Sequence, residues 1–417
     1  VELTKEVAVR TTARKRSLAL ATTLVLSIAC AASADTYLVR PDGLGDYETI
    51  QAAVDAVADG DVIELADGTF RGVGNRDILV PARPITIRSV SGNFLLCLID
   101  CEGSARAEHR GFHFTTDVGA GNVSLEGIGV MTGYVTDGGA GIWIDGANTI
   151  MSDCAVVSCT VGDPVGMGGG LLVSGGGAPN VLSCIFSLNT AAYGGGVAID
   201  QAWGTFNYCE MVDNTATDAG GGLYIDADGP FQIGFSGIVS NQAPRGAGVV
   251  MAGYTPYLQH CEISRNDATA GHAGGVLLQG GFINHSTLVE NSATEGAGGI
   301  HCDAGGVSVD TSIIAFSESG YGVGATEGNA PVLECCDVYG NPAGDYDSVV
   351  GDQTGVDFNI SQDPQLCGLT VGDYRLYETS PCLYENSLCG EQIGRYGQGC
   401  DSPVEEGSWG RLKSLYR

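Results

Sequence analysis

The chain reads as an all-β solenoid, a parallel β-helix, and three observations predict it. A glycine-rich phrase recurs with its last glycine at Gly141, Gly170, Gly196, Gly222, Gly248, Gly275 and Gly299, at spacings of 24 to 29 residues. An asparagine precedes five of these phrases (Asn189, Asn214, Asn241, Asn266 and Asn291), and five positions ahead of each stands Cys184, Cys209, Ser236, Cys261 or Ser286 in turn. Between these markers apolar residues alternate over short runs. A fixed period of this length means stacked units, each too small to bury its own apolar face.

The elements follow in order. Lys15–Arg16, the apolar run Leu18 to Ala29 and the small residues Ala32-Ser33-Ala34 mark residues 1–34 as a signal peptide. An exported protein, extracellular or on the outer cell surface, is expected; Cys30 offers a lipoprotein signal as the alternative. Residues 35–60 form an N-terminal cap, in which 47–58 fit an amphipathic helix with Ile50, Val54 and Val57 on one face and Gly60 ending it.

Coils are expected over 61–341. Three residues before the asparagines stand Phe186, Met211, Ile238, Ile263 and Leu288, and eight before stand Val181, Phe206, Ile233, Leu258 and Ile283. These face inward, as does the alternate set Ile142, Leu171, Val197, Leu223, Val249, Val276 and Ile300 after the glycines. Strands one coil apart pair in parallel, and the asparagines suit left-handed bends and a side-chain ladder. Residues 342–400 lose the rhythm and read as a loop-rich, cysteine-containing C-terminal cap. Residues 401–417, with Trp409, Arg411, Lys413 and Arg417, read as a sorting or anchoring tail.

Composition limits the partners. The formal net charge is −30, and between Arg110 and Arg375 only Arg245 and Arg265 are basic. Such a surface repels nucleic acid and anionic membranes. No apolar run after the signal is long enough to span a bilayer. Cys154, Cys184, Cys209, Cys261 and Cys336 share one repeat position and are expected inside as small apolar fillers, whereas Cys367, Cys382, Cys389 and Cys400 lie where disulfides are expected.

The segment Asp42-Gly-Leu-Gly-Asp-Tyr-Glu-Thr-Ile-Gln-Ala-Ala-Val-Asp-Ala-Val-Ala-Asp-Gly-Asp61 resembles the entry segment of the right-handed β-helix, pectin-lyase-like superfamily. The GGG/Asn coils resemble bacterial surface repeats of the polymorphic outer-membrane protein type. Asp363-Pro-Gln-Leu-Cys367 and Gly372-Asp-Tyr-Arg-Leu resemble the closing segment of exported bacterial β-helix proteins. The resemblance implies a right-handed helix and export. The enzymes of that superfamily carry His-Gly and Arg-x-Lys motifs, an Asp-Phe-Ile-Phe-Gly segment, or a calcium site beside a basic residue. The first three are missing here, lysine is absent from residues 16–412, and Arg245 and Arg265 have no such context.

In a solenoid, sites are built from columns. Asp200 and Asp226 fall on neighbouring coils with Asp228 close by, a carboxylate cluster of the kind that Ca2+ would occupy; Asp also simply suits a turn. Six residues before the asparagines run Tyr208, Phe235, His260 and His285, and beside them Glu210, Glu262 and Arg265. The rings would offer sugars a stacking surface, with Tyr208, Phe235, His260, His285 and Glu210 as ligand contacts. Glu262, His260 and Arg265 would be the groups for general acid–base work. A third outward column, Trp143, Leu172, Tyr224, Val250 and Leu277, is apolar enough to imply a cover, either a partner or the chain's own tail.

Two readings remain. One is an adhesion, carbohydrate-binding or structural module at the cell surface, with a polysaccharide or surface partner. The other is a polysaccharide lyase or glycosidase, calcium-dependent in the lyase case. The near-constant coil length leaves little room for cleft walls and favours the first.

Overall fold

The computed structural model describes residues 34–116 and 122–400; the signal segment, apart from Ala34, and the basic tail lie outside them. The architecture is an all-β parallel β-helix with four sheets running along its axis, of 12, 11, 7 and 10 strands. We label them sheets A to D in the order the chain meets them within a coil. One coil shows the pattern: Asn180–Leu182 in A, Ile185–Ser187 in B, Thr190–Tyr193 in C and Val197–Asp200 in D. Each strand pairs in parallel with its counterpart one coil on, as Phe186 does with Met211 and Val197 with Leu223. The inward residues form one continuous core in which Phe186, Met211, Ile238, Ile263 and Leu288 are all at most 1% exposed.

The first coil begins earlier than expected. The strand Thr36–Val39 already pairs with Val62–Leu65 in sheet A, so it precedes the helix α1, Ile50–Ala56. Thr49 caps α1 by accepting from the Ala52 N–H, and Ile50, Ala53, Val54 and Val57 are buried.

Two bends bracket each sheet B strand, and both are left-handed at residues that are not glycine. The first falls at Ser183, Tyr208, Phe235, His260 and His285 (φ 43° to 56°), the second at Leu188, Asp213, Ser240, Arg265 and Glu290 (φ 55° to 57°). The residue in the left-handed conformation is therefore the one before the asparagine. Such residues cost about 1–2 kcal/mol each, and the inward polar residue next in the chain offsets the cost. After the second bend the buried asparagine forms a ladder. Asn214 Oδ1 accepts from Asn189 N at 3.0 Å and Asn189 Nδ2 at 3.1 Å, while Asn214 Nδ2 donates to Phe186 O at 2.9 Å. The same bonds recur at Asn241 and Asn266, and Asn291 closes the run.

After the first bend stands the cysteine/serine column, and it does more than fill space. The Ser236 hydroxyl donates to Gly234 O and accepts from Cys209 N. The Cys184, Cys209 and Cys261 thiols make the corresponding bond to the carbonyl two residues back, at 3.3 to 3.4 Å. Cysteine and serine both occupy this column, and each donates to the carbonyl two residues back.

The expected apolar outer stripe is not an open contact face. Leu172, Val250 and Leu277 are 6%, 2% and 2% exposed, and Trp143 and Tyr224 are half-buried. The chain's own turns cover them: Ala219 and Ala273 pack with Val250 and Leu277, flanked by Tyr193 and Tyr224. Glycine is required for this cover. A Cβ on Gly246 would lie 2.5 Å from Val250 Cγ2 and 3.1 Å from Leu277 Cβ. The partner or tail expected on that stripe has no apolar face left to cover at these three leucine and valine positions.

The cysteine pairing also differs from expectation. Cys367 bridges Cys400, but Cys389 bridges Cys335 in the last coils, and Cys382 stays a buried thiol. Cys335 belongs to the bend column, so this bond staples the C-terminal segment to the solenoid.

Asn241→Ala removes the partner of Asn214 N and Nδ2 and of Met211 O. Each stranded buried group costs about 1–3 kcal/mol, so the variant should lose about 3 kcal/mol or more in denaturant unfolding. Asn180→Ala, on an exposed sheet A position, should change stability by less than about 0.5 kcal/mol.

Candidate functional site

The first-bend column forms a continuous row of rings. Tyr208 stacks on Phe235 with centroids 5.2 Å apart, Phe235 on His260 at 4.7 Å, and His260 lies 4.9 Å from His285. The left-handed backbone points each side chain outward, and the coil repeat sets the ring spacing. The rings face one another, so the sugar-stacking surface in this row reduces to the outer side of Tyr208. His285 continues the row by hydrogen bonding to the Thr311 hydroxyl at 3.0 Å. Burial, the His285 ring and the Arg395 guanidinium hold His260 below the usual imidazole range.

Glu210, Glu262 and Arg265 are brought to the same flank, on or beside sheet B, and the C-terminal segment packs over them. Tyr396 Oη donates to Glu262 Oε2 at 2.5 Å, and the Ser264 hydroxyl donates to Oε1 at 2.8 Å. Tyr374 Oη and Arg265 Nε both donate to Glu290 Oε2, at 2.6 and 2.9 Å, and Arg265 Nη2 reaches Leu369 O. Arg395 donates to Ser236 O and Phe235 O, and its N–H to Thr287 Oγ1. Tyr374, Leu376, Leu383 and Ile393 pack with Val289, Ile313 and Ala315 in a second apolar core. Residues 363–400 thus include a strap along sheet B. Neither oxygen of Glu262 is left without a donor, and Arg265 is held by Glu290 and the strap. Both residues act as joints.

Glu210 differs. Gly237 lies between it and Glu262 in register, and the Glu210 carboxyl occupies the space where a Gly237 side chain would sit. Burial first, then the Glu262 charge, push its carboxyl up to about 7 against the pull of Arg395.

Asp200 and Asp226 lie in register on adjacent strands, and burial followed by the Asp226 and Asp228 charges raises the Asp200 carboxyl. Among the described residues, no group of three or more His, Cys, Asp or Glu side chains is arranged to hold a metal ion. Asp200, Asp226 and Asp228, the carboxylates expected as a Ca2+ cluster, are not such a group. A cavity of about 320 Å³ is lined by Phe316 and by Asp363, Gln365, Leu366, Leu369 and Tyr377 of the strap, none of them a site residue expected from the sequence.

The open face of the solenoid is sheet A, and its composition is unusual for this chain. Its outward columns run Ile150, Asn180, Thr205, Gln232, Tyr257, Phe282, Ser308 and Ser152, Leu182, Asn207, Gly234, Gln259, Asn284. Between Glu126, which precedes Ser152 in register, and Asp310, which follows Asn284, neither column holds a charge. Leu182 and Phe282 are 41% and 39% exposed, and Tyr257 and Phe282 meet edge to face at 6.4 Å. Gly234 leaves a dent toward which Asn207 and Gln259 lean from either side. These columns stand nine and seven residues ahead of the repeat asparagines. The signal was present in the period, but uncharged polar residues carry no catalytic motif to draw attention.

No family model matches the chain, and no curated protein matches it. Among solved structures, a crystal structure of pectate lyase Pel9A is similar at 14% sequence identity and a TM-score of 0.48, over 88% of this chain and 97% of that one.

His260→Asn keeps a residue that accepts the left-handed bend and removes the ionisable ring. Because the folded state holds His260 below its ordinary value near 6.5, the wild type loses stability as pH falls through that value. Unfolding midpoints at pH 7 and pH 5 should therefore fall further for wild type than for His260→Asn.

Proposed function

We propose that the protein is an exported surface module that binds a neutral polysaccharide along sheet A. The observation that carries this reading is the uncharged strip from Ile150 and Ser152 to Asn284 and Ser308, set in a chain of net charge −30. Asn180, Asn207, Gln232 and Gln259 are amides that both donate and accept, which matches hydroxyl groups. Tyr257 and Phe282 supply apolar area for the faces of sugar rings. Strands lie about 4.8 Å apart, so a polymer lying along the axis meets uncharged groups at each of these coils. Affinity then accumulates over many weak contacts, which suits adhesion.

Export rests on the Lys15–Ala34 signal pattern and agrees with the Cys335–Cys389 and Cys367–Cys400 disulfides. Among the described residues no helix is long and apolar enough to cross a membrane.

The check is a titration of soluble neutral and acidic polysaccharides against the full chain. Neutral polymers should bind, and Gln232→Ala/Tyr257→Ala/Phe282→Ala should weaken them at least tenfold without changing the fold. Equal binding of acidic polymers, or affinity unchanged in the triple variant, would overturn the reading.

A further inference from the structure

The strap's contacts with the solenoid include two carboxyl groups placed where ionisation is unfavourable. Glu210 faces Glu262 across Gly237, with Arg395 and Tyr396 of the strap beside them and the Cys209 and Cys261 thiols behind. Asp337, fully buried in the last coil, accepts from the Cys382 thiol of the strap at 3.1 Å and from Gln362 N, with Asp345, Asp363, Cys336 and Tyr346 as its other titratable neighbours. The two sites lie in different coils and touch different parts of the strap.

We propose that the strap is a pH-sensitive cover of sheet B, tight when Glu210 and Asp337 are protonated and loosened when both ionise. Its Cys335–Cys389 bond keeps it attached in either state. Loosening would expose the Glu262, Thr287 and Ile313 positions and free the carbonyls of Phe235 and Ser236 that Arg395 holds. The sign follows from linkage. Both carboxyls are raised to about 7 in the folded chain, chiefly by burial. The stability they supply is present below the ordinary carboxyl range near 4 and is lost as pH rises through about 7. His260 acts in the opposite sense beside Arg395, so a comparison of variants at each pH is needed to cancel it.

The test is hydrogen exchange of the full disulfide-bonded chain at about pH 6.0 and about pH 8.5, corrected for intrinsic rates. Protection of strap amides near Tyr374 and Tyr396 should fall at least tenfold at the higher pH, while amides of the asparagine ladder stay unchanged. Glu210→Gln/Asp337→Asn should show equal strap protection at both pH values. Equal protection in the wild type, or the full drop retained in the double variant, overturns the proposal. Should the double variant not fold, Glu210→Gln alone must remove several-fold of the drop; retention of the whole drop then counts against the proposal.

Discussion

Everything in this solenoid depends on turning a strand sharply, twice within a few residues, without stranding a buried amide. The chain does it with one left-handed residue followed by one inward polar residue. At Leu188 and Ser240, for example, the bend holds a non-glycine residue in the left-handed region, at a backbone cost. The next residue, Asn189 or Asn241, then satisfies a backbone carbonyl of the preceding coil and a backbone N–H of its neighbour. Each rung needs the rung below, so the bends are stable only as a stack. A single coil would carry the strain without the ladder, which is why the unit cannot exist alone.

The bends also decide what the surface is made of. A left-handed residue directs its side chain outward, and at the first bend these are Tyr208, Phe235, His260 and His285. Stacked on one another, they gain the packing that aromatic pairs supply, about 0.5–1.5 kcal/mol each, which offsets much of the backbone cost. The ring row is best understood as structural, and it separates two faces of different fate. Sheet B is clad by the strap through an apolar core and tyrosine–carboxylate bonds. Sheet A receives no comparable covering among the described residues and keeps its amide columns open.

The repeat made the fold and the inside–outside assignment of nearly every coil residue legible, because period two and the 24 to 29 residue period are both written in the side chains. Three things were not legible. The strap lies 104 residues from Arg265 and 134 from Glu262 along the chain, and no periodicity links those positions. The cover over Val250 and Leu277 comes from glycine turns, whose reach is a matter of backbone path. The partner of Cys389 stood inside the repeat at Cys335, where the column pattern concealed it next to Cys336. Chemistry-bearing residues such as Glu262 and Arg265 attracted attention because they are charged. The structure ties them into the strap contact, and the uncharged columns nine and seven residues ahead of the asparagines are the better candidates for a ligand.

The coil around Phe235 connects these features. It carries Gly234 on the sheet A side and Gly237 on the sheet B side, so no outward side chain stands at either position. Asn207 and Gln259 lean into the first gap and Glu210 fills the second. Arg395 of the strap grips the two carbonyls between them, those of Phe235 and Ser236. A displacement of the strap would therefore be felt at the backbone that sets the Gly234 dent, a few residues from the amides proposed to hold a glycan. Most repeat proteins confine each contact to a neighbouring coil. Here Arg395 binds the bend between the covered face and the open one, with the Glu210 carboxyl beside it.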